Sequence, residues 1–170
     1  LEAAAGRGIP VDEAAVRRGV QSVQWDGRLE VVERGPDLLL DGAHNPAAAL
    51  VLAEYLREWR ASRPEARVIL VLGMMRDKDH VRFVEPLYRL VSEAVLTEAD
   101  MARSATVQEL QSAVGFRFPH CHVAQRAVDA LALARARAGA QDLICVTGSL
   151  MLVGEVKALV RGCGVSPLRG

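Results

Sequence analysis

The sequence is poor in cysteine and has no surplus of charge of either sign. Its three cysteines, Cys121, Cys145 and Cys163, are widely spaced and form no CxxC pair, which argues against a disulfide framework or a zinc site. Its 21 basic residues are balanced by 21 acidic ones, so it lacks the basic stripe that is typical of nucleic-acid-binding domains. We therefore expect no nucleic-acid partner.

Long apolar runs and metal-binding motifs are also missing. No segment approaches the ~18 uninterrupted apolar residues that a membrane span requires, and no signal peptide is recognisable. A cytoplasmic location without a membrane partner is the corresponding expectation. The four histidines are scattered without an HExxH pattern, and no phosphate-binding GxxxxGK[ST] loop is present. We predict no metal ligands within this chain.

The sequence does contain a regular alternation of short apolar runs and helical segments, in a chain of 170 residues. Such alternation predicts a mostly parallel sheet covered by helices on both faces. We expect a three-layer α/β/α Rossmann-like domain with six strands, the first antiparallel because its link to the second is too short for a crossover. The predicted strands are 29–33, 38–40, 68–72, 94–97, 122–124 and 143–146, and the predicted helices are 10–20, 46–60, 78–91 with a kink at Pro86, 105–114, 126–138 and 150–160.

Polar residues follow four of the predicted strands. In open α/β sheets, ligands bind beyond the carboxyl ends of the strands, so these polar segments should meet at one edge of the sheet. They are residues 41–46, 73–80, 97–100 and 147–149. The sequence therefore predicts one site built from several loops.

Several residues of this site also have a purely structural explanation. Asn45 followed by Pro46 is a good helix start, which would leave His44 as a surface histidine in a well-capped turn. Ser149 could cap the last helix, or it could present its hydroxyl to an anion beside free backbone amides. Lys78 is harder to explain, because a cation is disfavoured in the first turn of the predicted helix. A substrate carboxylate would account for it.

Four ordered motifs resemble the C-terminal domain of folylpolyglutamate synthase and dihydrofolate synthase, which belong to the Mur ligase superfamily. The motifs are WDGRLE at 25–30, LDGAHNP at 40–46, Gly73 with DKD at 77–79, and TGSL at 147–150 with VGEV at 153–156. The resemblance extends over roughly residues 1–161. It implies an ATP-dependent ligase that adds L-glutamate to folate or dihydropteroate through an acyl phosphate, with ATP and Mg²⁺ bound in the complete enzyme.

The resemblance also implies roles for individual residues. Arg28 and Asp41 match nucleotide-binding positions, and His44, Ser149 and Lys78 match positions associated with the incoming glutamate. Asn45 would order its loop. No residue of this domain is implied to be catalytic alone, because the phosphate loop and the magnesium ligands of the family lie in an N-terminal ATPase domain.

The same resemblance divides the chain. Residues 1–24 are expected to be the end of the ATPase domain and a linker, and residues 25–161 the glutamate-ligase domain. Residues 162–170, which are rich in Gly and Pro, are expected to be a frayed tail. The missing ATPase domain is the expected partner, together with ATP, glutamate and folate, and the chain alone is expected to be inactive. Two alternatives remain: a stand-alone binding module of the same fold without catalysis, and a Mur-type ligase domain acting on a cell-wall precursor.

Overall fold

The computed structural model describes residues 6–8, 12–23 and 25–162. Their centre is a six-stranded sheet with the order β1-β2-β6-β3-β4-β5. The strands are β1 (Glu30–Glu33), β2 (Asp37–Leu40), β3 (Val68–Leu72), β4 (Glu93–Glu98), β5 (Cys121–Arg126) and β6 (Leu143–Thr147). β1 runs antiparallel to β2, and the other neighbouring pairs are parallel, so the predicted sheet is confirmed. Residues 1–5, 9–11, 24 and 163–170 lie outside the described residues, and with them the start of the predicted helix 10–20 and most of the predicted tail.

Six α-helices connect or flank these strands in the described part of the chain. They are α1 (Glu13–Gln21), α2 (Pro46–Ala61), α3 (His80–Val84), α4 (Val107–Val114), α5 (Ala127–Arg137) and α6 (Leu150–Val160). Asn45 caps α2, since its side-chain oxygen accepts the amide hydrogen of Ala48 at 2.9 Å. The predicted start of this helix is therefore confirmed.

Strand residues alternate between two apolar cores, one on each face of the sheet. In β3, Val68, Leu70 and Leu72 pack on the side of α2, α3 and α4. Ile69 and Val71 pack on the side of α5 and α6. All five residues are fully buried, as expected for a central parallel strand covered on both faces. The fold is thus the predicted three-layer α/β/α sandwich.

The prediction of one helix over residues 78–91 was wrong. The helix α3 has only five residues, and residues 85–90 form a series of turns. Pro86 explains the early end, because it lacks an amide hydrogen and its ring clashes with the preceding helical turn. Lys78 consequently lies before the N-cap residue Asp79 rather than inside a first helical turn, so the dipole argument for a ligand at Lys78 does not apply.

Three glycines allow close contacts between the segments at the carboxyl edge of the sheet. A Cβ atom at Gly73 would lie 2.9 Å from the carbonyl oxygen of Thr97, and one at Gly148 would lie 2.7 Å from that of Gly73. At Gly42 a Cβ atom would collide with the side chain of Leu150. Gly148 also has a φ of +99°, which side-chain-bearing residues rarely adopt.

This close approach predicts that Gly148→Ala destabilises the domain. Backbone strain and overpacking together should lower the free energy of unfolding by roughly 2–4 kcal/mol. Urea denaturation of the chain measures this. Gly154→Ala is the matched control, because a Cβ atom at this position in α6 would meet no atom within 4 Å, and it should stabilise by about 0.5–1 kcal/mol. Equal effects of the two substitutions would contradict the packing account.

Candidate functional site

The register of the central strands places three polar loops side by side. Leu40 of β2 is level with Val146 of β6, and Leu72 of β3 is level with Thr147 of β6. The loops that follow are joined by backbone hydrogen bonds: the amide of Gly148 donates to the carbonyl of Ala43 at 2.9 Å. The carboxyl edge of the sheet therefore carries one composite surface, as strand order predicts.

Three of the predicted ligand-binding residues line a single pocket of about 320 Å³. They are His44, Lys78 and Ser149. The rest of the lining is Met75, Met101, Arg103, Gly148, Leu150 and Met151. The predicted glutamate-binding set is thus brought together in space, from the loops after β2, β3 and β6.

Sequence reasoning missed two residues of this pocket, Met101 and Arg103. The predicted site segment after β4 ends at Asp100. Ser104 holds the segment in place, because it pairs with Met75 in an isolated β-bridge and its hydroxyl accepts the amide hydrogen of Ala99 at 3.0 Å. This pairing joins residues far apart in sequence, and a local pattern does not reveal it.

Ser149 and His44 have defined hydrogen bonds at the pocket wall. Ser149 is 3% exposed, and its Oγ accepts the amide hydrogen of Met151 at 3.1 Å, so it does cap α6. Its hydroxyl proton remains available for a ligand. His44 Nδ1 lies 2.9 Å from the carbonyl oxygen of Gly42. Because a carbonyl only accepts, this contact assigns the proton to Nδ1 and leaves Nε2 as an acceptor in the neutral ring.

Lys78 is shared between the pocket and a neighbouring carboxylate. Its Nζ lies 3.1 Å from Oδ2 of Asp77, whose side chain is 60% exposed. The hydrogen bond from Lys78 holds the pKa of Asp77 below its ordinary value. The positive charge of Lys78 is therefore partly compensated inside the protein.

Arg28 and Asp41 lie outside this pocket. The Asp41 carboxylate is 6% exposed and accepts the amide hydrogens of Leu29 and Ala43, each at 3.0 Å. It thereby ties the start of β1 to the loop after β2. Arg28 is exposed and lines a separate groove with Trp25, in a turn where Gly27 and Leu29 both have positive φ.

A buried lysine of α6 anchors the turn that carries Arg28. Lys157 Nζ lies 3.0 Å from Asp26 and 2.7 Å from Glu30, and Glu30 also accepts the amide hydrogen of Gly27 at 2.7 Å. Burial raises the pKa of Glu30, but the hydrogen bonds from Lys157 and Gly27 outweigh it and hold that pKa below its ordinary value. Although burial lowers the pKa of Lys157, hydrogen bonds to Glu30 and Asp26 raise it overall. Sequence analysis missed this anchor.

Comparison with known proteins assigns this arrangement to a family. Residues 27–150 match the family model described as "Mur ligase, glutamate ligase domain". This chain belongs to the Mur ligase glutamate-ligase domain family. The match includes every residue predicted to bind a ligand.

The curated relatives of this Mur ligase domain include folate enzymes. The chain is 34% identical over 161 residues to the dihydrofolate synthase/folylpolyglutamate synthase of Escherichia coli, covering 94% of this chain and 36% of that protein. It is 37% identical over 149 residues to a probable bifunctional folylpolyglutamate synthase/dihydropteroate synthase of Haloferax volcanii, covering 86% of this chain and 17% of that protein. The chain thus spans only 36% of the length of the Escherichia coli protein and 17% of the length of the Haloferax volcanii protein.

Solved structures resemble the domain in shape as well. Escherichia coli FolC in complex with DHPP and ADP superposes with a TM-score of 0.80 at 30% identity, covering 91% of this chain and 36% of that one. The Mycobacterium tuberculosis folylpolyglutamate synthase complexed with ADP and AMPPCP gives 0.78 at 30% identity, covering 96% and 38%. Within the described residues of the present chain, no helix is long and apolar enough to cross a membrane.

The anchor at Lys157 predicts a pH-dependent loss of stability in Lys157→Met. Removing one partner of this largely buried pair should cost about 1–3 kcal/mol at neutral pH. The pKa of Glu30 is lowered, so the stabilisation is complete above its ordinary pKa of 4.5 and is lost as pH falls through the folded-state value. The difference in the free energy of unfolding between the unaltered chain and Lys157→Met should therefore be smaller at about pH 3.5 than at neutral pH, as measured by urea denaturation.

Arg126→Met provides the control for this experiment. Arg126 pairs with Asp129 on the surface, where the two side chains are 71% and 55% exposed, so its loss should leave the stability of the domain nearly unchanged at either pH. A Lys157→Met effect that stays constant between neutral and acidic pH would contradict the assigned ion pairs.

Proposed function

We propose that this chain is the C-terminal domain of an ATP-dependent ligase that adds L-glutamate to folate or dihydropteroate. The observation that carries the proposal is the pocket where His44, Lys78 and Ser149 meet, in a domain whose relatives are named folylpolyglutamate and dihydrofolate synthases. Glutamate has two carboxylates and one amine, and the pocket offers cations, a hydroxyl and an imidazole. This composition fits such a ligand.

In the proposed reaction, ATP phosphorylates the acceptor carboxylate, and the amine nitrogen of glutamate then attacks the carbonyl carbon of the acyl phosphate. ADP is the product of the first step. In the second step a C–N bond forms as the C–O bond to phosphate breaks, the amine loses a proton, and inorganic phosphate leaves. The role of this domain is to bind glutamate and present its amine. With the Nδ1 atom of His44 held by the Gly42 carbonyl, its Nε2 atom is the ring nitrogen that is left to contact that amine. Ser149 and Lys78 are suited to hold a carboxylate.

The nucleotide contacts are proposed to come from the turn around Arg28. A guanidinium remains charged and forks onto phosphate oxygens, and Arg28 makes no ion pair with any described residue. Asp41 holds this turn against the loop of His44 through its two backbone hydrogen bonds. It thereby sets the glutamate pocket and Arg28 in a fixed relation, and its remaining lone pairs are available to the nucleotide.

The magnesium site of the complete enzyme is proposed to lie outside this domain. The described residues contain no group of three or more histidine, cysteine or acidic side chains that could hold a metal ion. Related structures were solved with ATP analogues and manganese: the Yersinia pestis enzyme is complexed with AMPPNP and Mn ion. We infer that ATP and the divalent ion are bound chiefly by the ATPase domain, the partner of this domain in the longer polypeptide.

The comparisons favour this proposal over the two alternatives. The relatives above are named for folate substrates rather than for cell-wall precursors. A stand-alone binding module would not need an exposed Arg28 that makes no ion pair with any described residue. An upstream segment with a Gly-rich phosphate loop in the same polypeptide would support the ligase directly.

Two activity assays test the proposal. The complete ligase should transfer labelled L-glutamate to a folate or dihydropteroate only when ATP is present. The 170-residue chain alone should show background turnover, because phosphoryl transfer needs a phosphate cradle and a cation. ATP-dependent transfer by the isolated chain, or none by the complete enzyme with either acceptor, would contradict the proposal.

Ser149→Ala in the complete ligase should raise the KM for glutamate more than it lowers kcat. The substitution removes a hydroxyl that we propose contacts glutamate, and it also removes the cap of α6, which costs about 1 kcal/mol of stability. Thr106→Ala is the control, since Thr106 caps α4 by accepting the amide hydrogen of Glu109 at 3.1 Å. It should cost similar stability and leave the KM for glutamate unchanged. Equal KM shifts would mean that Ser149 acts only as a cap.

A further inference from the structure

We propose that Arg103 binds the γ-carboxylate of the incoming glutamate and so makes the site selective for that amino acid. The inference rests on the function proposed above and adds a specificity-determining residue to it. Arg103 lines the same pocket as His44, Lys78 and Ser149. It lies between β4 and α4, just beyond residues 97–100, the only part of this segment that was predicted to belong to the site.

The charge balance of the pocket singles out Arg103. Two cationic side chains line it, Lys78 and Arg103. Lys78 is already paired with Asp77 at 3.1 Å. Arg103, in contrast, makes no ion pair or side-chain hydrogen bond with any residue that the structure describes. The charge of Asp77 lies near enough to interact with Arg103 as well, but a guanidinium that forms no close ion pair at a pocket wall is suited to bind a carboxylate in a bidentate manner.

The backbone around Arg103 is held in place although its side chain is exposed. Its carbonyl oxygen accepts the amide hydrogen of Arg76 at 2.9 Å. The next residue, Ser104, forms the β-bridge with Met75 and is 4% exposed. Ala105 donates its amide hydrogen to the carbonyl of Met74 at 2.9 Å. Arg103 therefore belongs to a segment whose backbone is paired, in the manner of a strand, with the loop that carries Lys78.

The order of the strands indicates which carboxylate Arg103 binds. Asp41 and His44 follow β2, Ser149 follows β6, Lys78 follows β3, and Arg103 follows β4, and these strands are successive neighbours in the sheet. Neighbouring strands lie about 4.8 Å apart, so Arg103 is farthest along the edge from Arg28 and the proposed nucleotide.

The amine of glutamate must face the acyl phosphate, at the nucleotide end of this row. The α-carboxylate shares a carbon atom with the amine, and so it must also lie towards that end, within reach of Ser149 and Lys78. The γ-carboxylate is at the other end of the molecule. It would consequently point along the sheet edge towards β4, where Arg103 lies.

The test is the steady-state kinetics of Arg103→Ala in the complete ligase. Loss of a charged hydrogen-bonding pair should raise the KM for L-glutamate roughly 10- to 100-fold, while the KM values for ATP and folate stay unchanged. Arg103→Lys keeps the positive charge but loses the two parallel N–H donors of the guanidinium, so it should restore part of the affinity for L-glutamate. Arg82→Ala is the matched control. It removes the same charge from α3, where the side chain is 81% exposed and pairs with Asp79, and it should leave all three KM values unchanged.

L-Glutamine distinguishes the two carboxylates, because it retains the α-carboxylate but has a neutral amide at the γ position. Its inhibition constant against glutamate should be the same in the unaltered enzyme and in Arg103→Ala. An unchanged KM for glutamate in Arg103→Ala would overturn the inference, and so would a parallel loss of glutamine affinity. An unaltered enzyme that transfers no glutamate at all would instead overturn the proposed function, and this inference with it.

Discussion

Backbone-to-backbone contact between the loops at the carboxyl edge is the constraint on which the rest of the site depends. Gly73 and Gly148 leave no room for a Cβ atom, since one would lie 2.9 Å from the carbonyl oxygen of Thr97 in β4 or 2.7 Å from that of Gly73, respectively. The loops after β3 and β6 therefore lie against one another at the distance of hydrogen-bonded strands. Ser149 follows Gly148 directly, so the same contact places the start of α6 at the floor of the pocket.

At the opposite edge of the sheet, where the parallel strands begin, acidic side chains form ion pairs with arginines. Arg67, at the start of β3, pairs with Asp142 at 2.8 Å and with Glu93 at 3.0 Å, and both carboxylates are nearly buried. Burial raises the pKa of each of these two acids. The hydrogen bonds that Asp142 accepts from Arg67, and that Glu93 accepts from Arg137, have a larger opposite effect, so both pKa values lie below their ordinary values. The amino edge thus satisfies its own charges, whereas at the carboxyl edge Arg28 and Arg103 make no ion pair with any residue described. This asymmetry is expected for a domain whose ligands bind at one edge.

Much of the fold and part of the site follow from local sequence patterns. The bounds of β3 and α6 match the prediction, because a short apolar run and a serine cap are strong local signals. Strand order then placed His44, Lys78 and Ser149 together. Arg103 and Lys157 were missed because their positions depend on distant partners: Arg103 on the pairing of Met75 with Ser104, and Lys157 on Glu30, which is 127 residues away. The domain boundaries at 24 and 161 and the roles of individual site residues stay predictions.

A crystal structure of the proposed complete ligase with L-glutamate and a non-hydrolysable ATP analogue tests the central claim most directly. We expect glutamate to occupy the pocket between His44, Lys78 and Ser149, with its amine towards the nucleotide phosphates and Arg28 in contact with them. Glutamate bound entirely within the ATPase domain, with this pocket empty and Arg28 turned away from the nucleotide, would contradict the account.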